Sequence, residues 1–253
     1  MDNMKIETTG DVAVLPMRAG KANAIGAAFL DRLSAQLDAV ESSRARALVL
    51  TGEGRAFSAG LDLPELSALD PSGLERFIRR FSEVMLRVFA LPVPVVAAIN
   101  GHAIAGGCVL AMQADVRLAA AGDYRLGLNE VQIGLGLPAV VLETLRCQVS
   151  PQALGPVALE GRLLVPEEAQ ALGLVEAVVP PEQLLEQARS RAAALGALPR
   201  PAFQEIKQSL RGPVVETVRR VEREDARHWV ETAFSASARE RLAEVVARLT
   251  RPR

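Results

Sequence analysis

A charge surplus, a cysteine framework and a long apolar run are all missing from this chain, and each absence excludes a class of protein. Twenty-nine basic residues against thirty acidic ones leave a formal net charge of −1. That balance argues against nucleic acid as the main partner, although a local basic patch could still meet a phosphorylated small molecule. The two cysteines, Cys108 and Cys147, form no disulfide framework, and no Cys/His cluster has zinc-site spacing. A reducing, cytoplasmic setting is the expectation. No apolar run is long enough to span a bilayer, so no membrane association is expected. Met1-Asp2-Asn3-Met4-Lys5 leads into a strand-like stretch rather than a signal-peptide core, and Arg251-Pro252-Arg253 reads as a solvated tail. There is no internal repeat and no low-complexity segment.

What is present is an ordinary globular composition, 49% hydrophobic and 23% charged over 253 residues, enough for one sizeable core. Strand-like and helix-like patterns alternate in the first part. Val12–Leu15 reads as a strand, and Leu30, Leu33, Leu37 and Val40 mark an amphipathic helix over 26–41. A strand follows at 47–50, then a helix from about Ser72 to Ala90, with Pro71 at its start, where a missing N–H costs nothing. After Pro92 and Pro94 comes a strand at 95–99, then a small-residue helix opening near Ala105 or Gly106, and a strand at 116–119. From about Leu137 helical patterns dominate, at 138–147, 150–160, 166–172, 181–195, 200–210 and 213–249, interrupted by a strand-like run at 174–179. The expected architecture is an α/β core over residues 1–195 followed by a helical region over 196–253.

Two glycine-bearing segments stand out, Phe57-Ser58-Ala59-Gly60-Leu61-Asp62 and Asn100-Gly101-His102-Ala103-Ile104-Ala105-Gly106-Gly107. Each directly follows an apolar strand-like run. Two small-residue loops leaving neighbouring strands can aim two backbone N–H groups at one point, the geometry that stabilises negative charge building on a carbonyl oxygen. Taken alone, such glycines are also ordinary turn residues. Gly52-Glu53-Gly54 is no dinucleotide fingerprint, because Phe57 occupies the third glycine position and no helix opens there. Nor does a Walker-type lysine follow either loop. Ala56-Phe57-Ser58-Ala59-Gly60 resembles a nucleophile elbow, but nothing in the sequence pairs His102 or His228 with Ser58.

The run from Gly52 to Leu63, the run from Asn100 to Cys108, Asn23-Ala24 after Lys21, and the segment Ala169 to Val179 together resemble the crotonase (enoyl-CoA hydratase/isomerase) superfamily. The resemblance runs essentially end to end, with several motifs in order. It implies a core of repeated ββα turns, a C-terminal helical region used in oligomer contacts, an acyl-CoA thioester as substrate, and a homotrimer or dimer of trimers. By the same resemblance the oxyanion donors are the backbone N–H groups of Leu61 and Gly106. Ala22, Ala24, Ser58, Ala59 and Leu61 would lie along the CoA moiety, mostly through backbone. Lys207 would reach its adenine or phosphate end from a neighbouring subunit. No metal or redox cofactor is required, CoA being part of the substrate.

The family's hydratases carry two glutamates, and here the first position is Val109 while the second is Glu130. Valine cannot hold a water, so half of a hydration site is missing; a lone carboxylate suits moving a proton instead. Pro138 leads into Ala139-Val140-Val141-Leu142 where hydratases have Pro-Gly-Ala-Gly-Gly, and Leu126 to Gly134 resembles the mitochondrial-type 3,2-trans-enoyl-CoA isomerase branch. Apolar neighbours Leu126, Leu128, Val131, Ile133 and Val109 predict a Glu130 pKa raised by desolvation. The competing readings are a single-glutamate hydratase, a non-catalytic acyl-CoA-binding homologue, and Glu130 as a plain exposed first-turn acid. Asp62 and Glu65 are expected to serve as turn and N-cap residues of a short helix started by Pro64. Acyl selection is expected to rest on residues 63–90 and 137–146.

Overall fold

The computed structural model describes residues 4–250; Met1–Asn3 and the tail Arg251–Arg253 lie outside the described residues. Strands β1 (Glu7–Thr9) and β2 (Val12–Met17) form a hairpin, followed by helix α1 (Ala27–Ser42). The chain then runs three times through one pattern: a strand of a large sheet, a strand of a small sheet, then helix. First come β3 (Ala47–Gly52), β4 (Ala56–Ser58), α2 (Leu63–Ser67) and α3 (Pro71–Phe89). Next are β5 (Val95–Ile99), β6 (His102–Ile104) and α4 (Gly106–Met112). The third pass has β7 (Val116–Ala120), β8 (Leu126–Gly127) and α5 (Ala139–Gln148). Then follow α6 (Pro151–Leu154), α7 (Pro166–Ala171), β9 (Ala177–Val179), α8 (Leu184–Gly196), α9 (Arg200–Ala233) and α10 (Ala236–Thr250).

The large sheet has the order β1-β2-β3-β5-β7-β9, parallel except for the β1–β2 hairpin, and the small sheet is β4-β6-β8, all parallel. Strands β3 and β5 read as continuous apolar runs because both their faces are covered, as in other parallel sheets. On one face Leu48, Leu50, Val95 and Ala97 join the main core with α1 and α3 side chains such as Leu33, Leu37, Phe81 and Met85. On the other, Val49, Val96 and Ala98 meet Leu184, Ala188 and Ala192 of α8. The alanines, four residues apart on one helix face, let α8 lie close to the sheet. Among the described residues no helix is long and apolar enough to cross a membrane.

Four expectations need correction. The two glycine segments were expected as loops, yet each contributes a three-residue strand; such short strands form only through cross-chain pairing, which leaves no periodicity to read. The helical pattern over 150–160 becomes α6 and then a π-type turn at Gly155–Leu159, where Pro156 cannot donate to the helical ladder. Of the strand-like run 174–179, only Ala177–Val179 pairs. The largest change is at the C-terminus. A break near Gly212-Pro213 was expected, but α9 runs unbroken from Arg200 to Ala233 with Pro213 inside it. Buried side chains on both sides of Pro213, Lys207 and Arg211 before it and Val215 and Val218 after it, hold the axis against the protein. The chain turns instead at Ser235, whose Oγ accepts from the Ala238 amide at 3.3 Å.

Candidate active site

The site lies where β3–β4, β5–β6 and β7–β8 end. Gly60 sits at φ +93°, a conformation glycine adopts without penalty. Its carbonyl accepts from Ile25 N at 2.8 Å, and Asp62 N donates to Ile25 O at 3.0 Å. Ile25 thus takes the neighbours on either side of Leu61 and leaves the Leu61 amide turned the other way. A Cβ placed on Gly106 would lie 3.4 Å from Leu61 N, so the two amides stand side by side. Gly106 opens α4, and its N–H is one of the donors a helix leaves unpaired. Among the described residues neither amide has an acceptor. Two such donors with a helix N-terminus behind one of them can stabilise an oxyanion.

The approach of the two loops is enforced by packing and by strain. A Cβ on Gly107 would collide with the carbonyl oxygen of Ser58, so α4 can start against β4 only with glycine there. Ala105, the residue before α4, is held at φ +50° and ψ −124°, a region that costs an alanine on the order of 1–3 kcal/mol. Its amide donates to Gly127 O at 2.8 Å, which ties the second loop to β8.

Ala22 and Asn23 also have positive φ, 58° and 54°. Asn23 is buried: its Oδ1 accepts from Ala19 N at 3.0 Å, and its Nδ2 donates to Ala56 O at 3.1 Å and Phe57 O at 3.2 Å. Ser58 is fully buried; its hydroxyl donates to Asn23 O at 2.7 Å and accepts from Gly60 N at 3.2 Å. Ser58 therefore braces the first loop from within. The nucleophile reading has no support, since His102 Nδ1 accepts from Arg125 N and His228 is on the exposed side of α9. Ala22 and Ala59 are exposed and joined by an Ala59 N to Ala22 O bond of 2.9 Å, with Ala24 and Leu61 half-buried beside them. Of the five residues expected along a CoA moiety, these four line a rim and Ser58 lies beneath it.

Glu130 opens a 3₁₀ turn, Glu130–Ile133, three residues after β8 ends at Gly127. It is 8% exposed, not the solvent-facing first-turn acid that was the plain alternative. Among the described residues its buried Oε2 has no hydrogen-bond partner. Burial pushes its carboxyl up to about 7, only partly opposed by its own backbone N–H. Cys108, near the start of α4, feels the Glu130 charge; burial chiefly, and that charge next, push its thiol up to about 12. Val109 is fully buried in α4. Asp62 caps α2 by accepting from Glu65 N at 3.1 Å, as expected, whereas Glu65 caps a different helix, accepting from Ala27 N at the start of α1.

Lys207 corrects an expectation. Its ammonium is buried, donating to Asp115 Oδ2 at 2.7 Å and Val93 O at 3.1 Å. Val93 precedes β5 and Asp115 precedes β7, so Lys207 sits at the opposite end of the strands from the glycine loops. Its charge is used to fasten α9 to the sheet and cannot reach outward to a nucleotide.

The C-terminal helices supply a part of the site that the sequence did not reveal. Helix α10 packs against both α2, which follows the Leu61 loop, and the Glu130 turn. Trp229 and Asp225 of α9 bond the stretch that follows that turn. The single tryptophan, following the charged run 219–228, was the one available signal.

A family model described as enoyl-CoA hydratase/isomerase matches residues 7–248. Human mitochondrial enoyl-CoA delta isomerase 1 is 34% identical over 203 residues, which cover 79% of this chain and 67% of the relative. The crystal structure of human mitochondrial delta3-delta2-enoyl-CoA isomerase superposes with a TM-score of 0.93 at 30% identity, covering 96% of both chains. That of an enoyl-CoA hydratase from Mycobacterium marinum superposes with a TM-score of 0.81 at 29% identity, covering 91% of this chain and 99% of the other.

Proposed function

This chain belongs to the enoyl-CoA hydratase/isomerase family, and from that premise we propose that it is an isomerase moving the double bond of 3-enoyl-CoA thioesters to the 2-trans position. The observation that carries the reading is a lone carboxylate, Glu130, buried and with one oxygen unpartnered among the described residues, in a chain whose other glutamate position holds a fully buried valine. As carboxylate, Glu130 takes the proton from C2 of the 3-enoyl thioester. The electron pair of that C–H bond forms a C1–C2 double bond and the carbonyl pair moves onto the thioester oxygen. The resulting dienolate is held by the N–H groups of Leu61 and Gly106. Glu130, now a carboxylic acid, returns the proton at C4: the C3–C4 π pair forms the new C4–H bond, the C1–C2 pair moves to C2–C3, and a lone pair of the thioester oxygen re-forms the carbonyl. A group titrating near neutrality suits both halves, since it must give and take the same proton. The exposed backbone of Ala22 and Ala59, with half-buried Ala24 and Leu61 beside them, would carry the CoA moiety.

The rival reaction, hydration of 2-enoyl-CoA, would need Glu130 to activate a water unaided; the likeness to a mycobacterial hydratase keeps it as the second reading. One assay separates them. Purified protein and Glu130→Gln are each given 3-hexenoyl-CoA and 2-hexenoyl-CoA. Conjugated thioester from the first substrate, little 3-hydroxyacyl-CoA from the second, and loss of turnover in the variant support the isomerase. Ready hydration of the second substrate would replace it with the hydratase. Binding of both esters without turnover would leave an acyl-CoA-binding homologue. Trimeric assembly belongs to the same proposal, with exposed Ile206 and Leu210, four residues apart on α9, as an apolar strip for a neighbouring subunit.

A further inference from the structure

Glu130 does not hold its own position. Its turn ends at Gly134 in a left-handed conformation, φ +78°, and its carbonyl accepts from Leu135 N at 2.9 Å. The turn itself is tied to the chain before α7, Gln132 donating to Gly161 O at 2.8 Å and Glu160 O at 3.3 Å. The stretch after it, 134–139, is held by three contacts from the last two helices. A Cβ on Gly134 would lie 2.8 Å from Ala238 Cα, so α10 presses directly on the end of the turn. Trp229, 5% exposed, donates its indole N–H to Gly136 O at 2.8 Å, with its ring edge against the same residue. Asp225 Oδ2 accepts from Ala139 N at 2.9 Å, capping α5 from a neighbouring helix. The Asp225 carboxyl is half-buried, and His228 lies within electrostatic range of it.

We propose that Trp229 and Asp225 are positioning residues that fix the Glu130 turn and keep water away from its carboxylate. Both grip the chain within nine residues of Glu130, one before α5 and one at its first amide. The stretch between them, Gly134-Leu135-Gly136-Leu137-Pro138-Ala139, carries no polar side chain: Leu135 is buried in the core, and the hydrogen bonding of the stretch rests on backbone groups. Two glycines around one buried leucine leave the backbone of this segment more freedom than other residues would, and a displacement of about 1 Å at a catalytic group can cost up to a hundredfold in rate. The inference rests on Glu130 being the proton carrier, but its first readout does not.

That readout is the titration of the Glu130 carboxyl, followed by carbon-13 NMR on glutamate-labelled protein, with the signal assigned by its loss in Glu130→Gln. Trp229→Phe keeps an aromatic ring but removes the N–H together with part of the ring volume, and Asp225→Ala removes only the cap. In each, the Glu130 midpoint should fall by about one pH unit as water enters. Turnover of 3-hexenoyl-CoA should fall about tenfold at nearly constant KM. Asp225→Asn, whose amide oxygen can still accept from Ala139, should restore most of both. Should Trp229→Phe not fold, the Asp225 pair carries the test alone. An unmoved Glu130 midpoint in folded variants would overturn the clamp. A moved midpoint with unaltered turnover would keep the clamp and count against Glu130 as the proton carrier.

Discussion

Two carboxylates, Glu130 buried and Asp115 largely so, lie at opposite ends of the parallel strands, and their surroundings are inverse. At the end where the strands enter, Asp115 is fully partnered: Oδ2 accepts from Val95 N and Lys207 Nζ, each at 2.7 Å, and Oδ1 from Arg211 Nη2 at 2.9 Å. At the end where they leave, Glu130 Oε2 has nothing. The backbone follows the same division. Among the described residues the three non-glycine residues with positive φ, Ala22, Asn23 and Ala105, all belong to the exit end. The exit end holds the backbone strain and the orphaned oxygen of Glu130, and the other end spends its charges on holding helix α9. Buried acids become reactive when they are left unpaired, and structural when they are not.

The comparison breaks most sharply under exchange of roles. Glu130→Gln should lower turnover of 3-hexenoyl-CoA on the order of 1000-fold, the range expected for a general acid–base. The same variant should raise the urea midpoint, because a buried unpaired charge is removed. Asp115→Ala should do the reverse, costing about 3–5 kcal/mol in urea unfolding by leaving Lys207 and Arg211 buried without a counter-charge. Turnover per folded molecule should stay constant. If Asp115→Ala lost only activity, the division of labour between the two ends would be wrong.

The next effect is in pH. Burial raises the Glu130 carboxyl from 4.5 to about 7. Below about 4.5 both folded and unfolded chains hold that proton and burial carries no ionic cost. Between 4.5 and 7 only the folded chain holds it, so stability from this group is lost as pH rises, by roughly 3 kcal/mol in all. Denaturation curves across that window should show the slope in the wild type and lack it in Glu130→Gln. Turnover should run the other way, rising with pH through about 7 as the carboxylate forms. Smaller still, Ser58→Ala should cost about 1–2 kcal/mol by leaving Asn23 O and Gly60 N without their partner, read as a lower melting temperature. Ala105→Gly should gain at most about 1 kcal/mol, since relief of strain is partly offset by a more flexible unfolded chain.

How legible this was depended on range along the chain. Strands β3 and β5 were readable because full burial writes continuous apolar runs, β7 because Arg117 alone interrupts one, and α3 because its stripe, Asp70 cap and Pro71 are local. The glycine loops, Glu130 and its apolar setting were readable for the same reason: each is a short motif. Strands β4, β6 and β8 were not, because two or three residues hold no period. The continuity of α9 through Pro213 was hidden because distant carbonyls, Val93 O and Phe89 O, decide it. Lys207 misled because a helical lysine looks the same whether solvated, reaching for a phosphate, or buried against Asp115.

The sequence by itself determined the family, the class of chemistry and the identity of the lone carboxylate, since residue types and their spacing specify which groups exist and which are absent, Val109 included. Only the tertiary structure decided what those groups experience. The pairing of the Leu61 and Gly106 amides, the orphaned oxygen of Glu130, the satisfied charge of Asp115 and the grip of Trp229 on Gly136 are all contacts between segments far apart in the chain. Desolvation and hydrogen bonding depend on neighbours in space, and those exist only once the chain has folded.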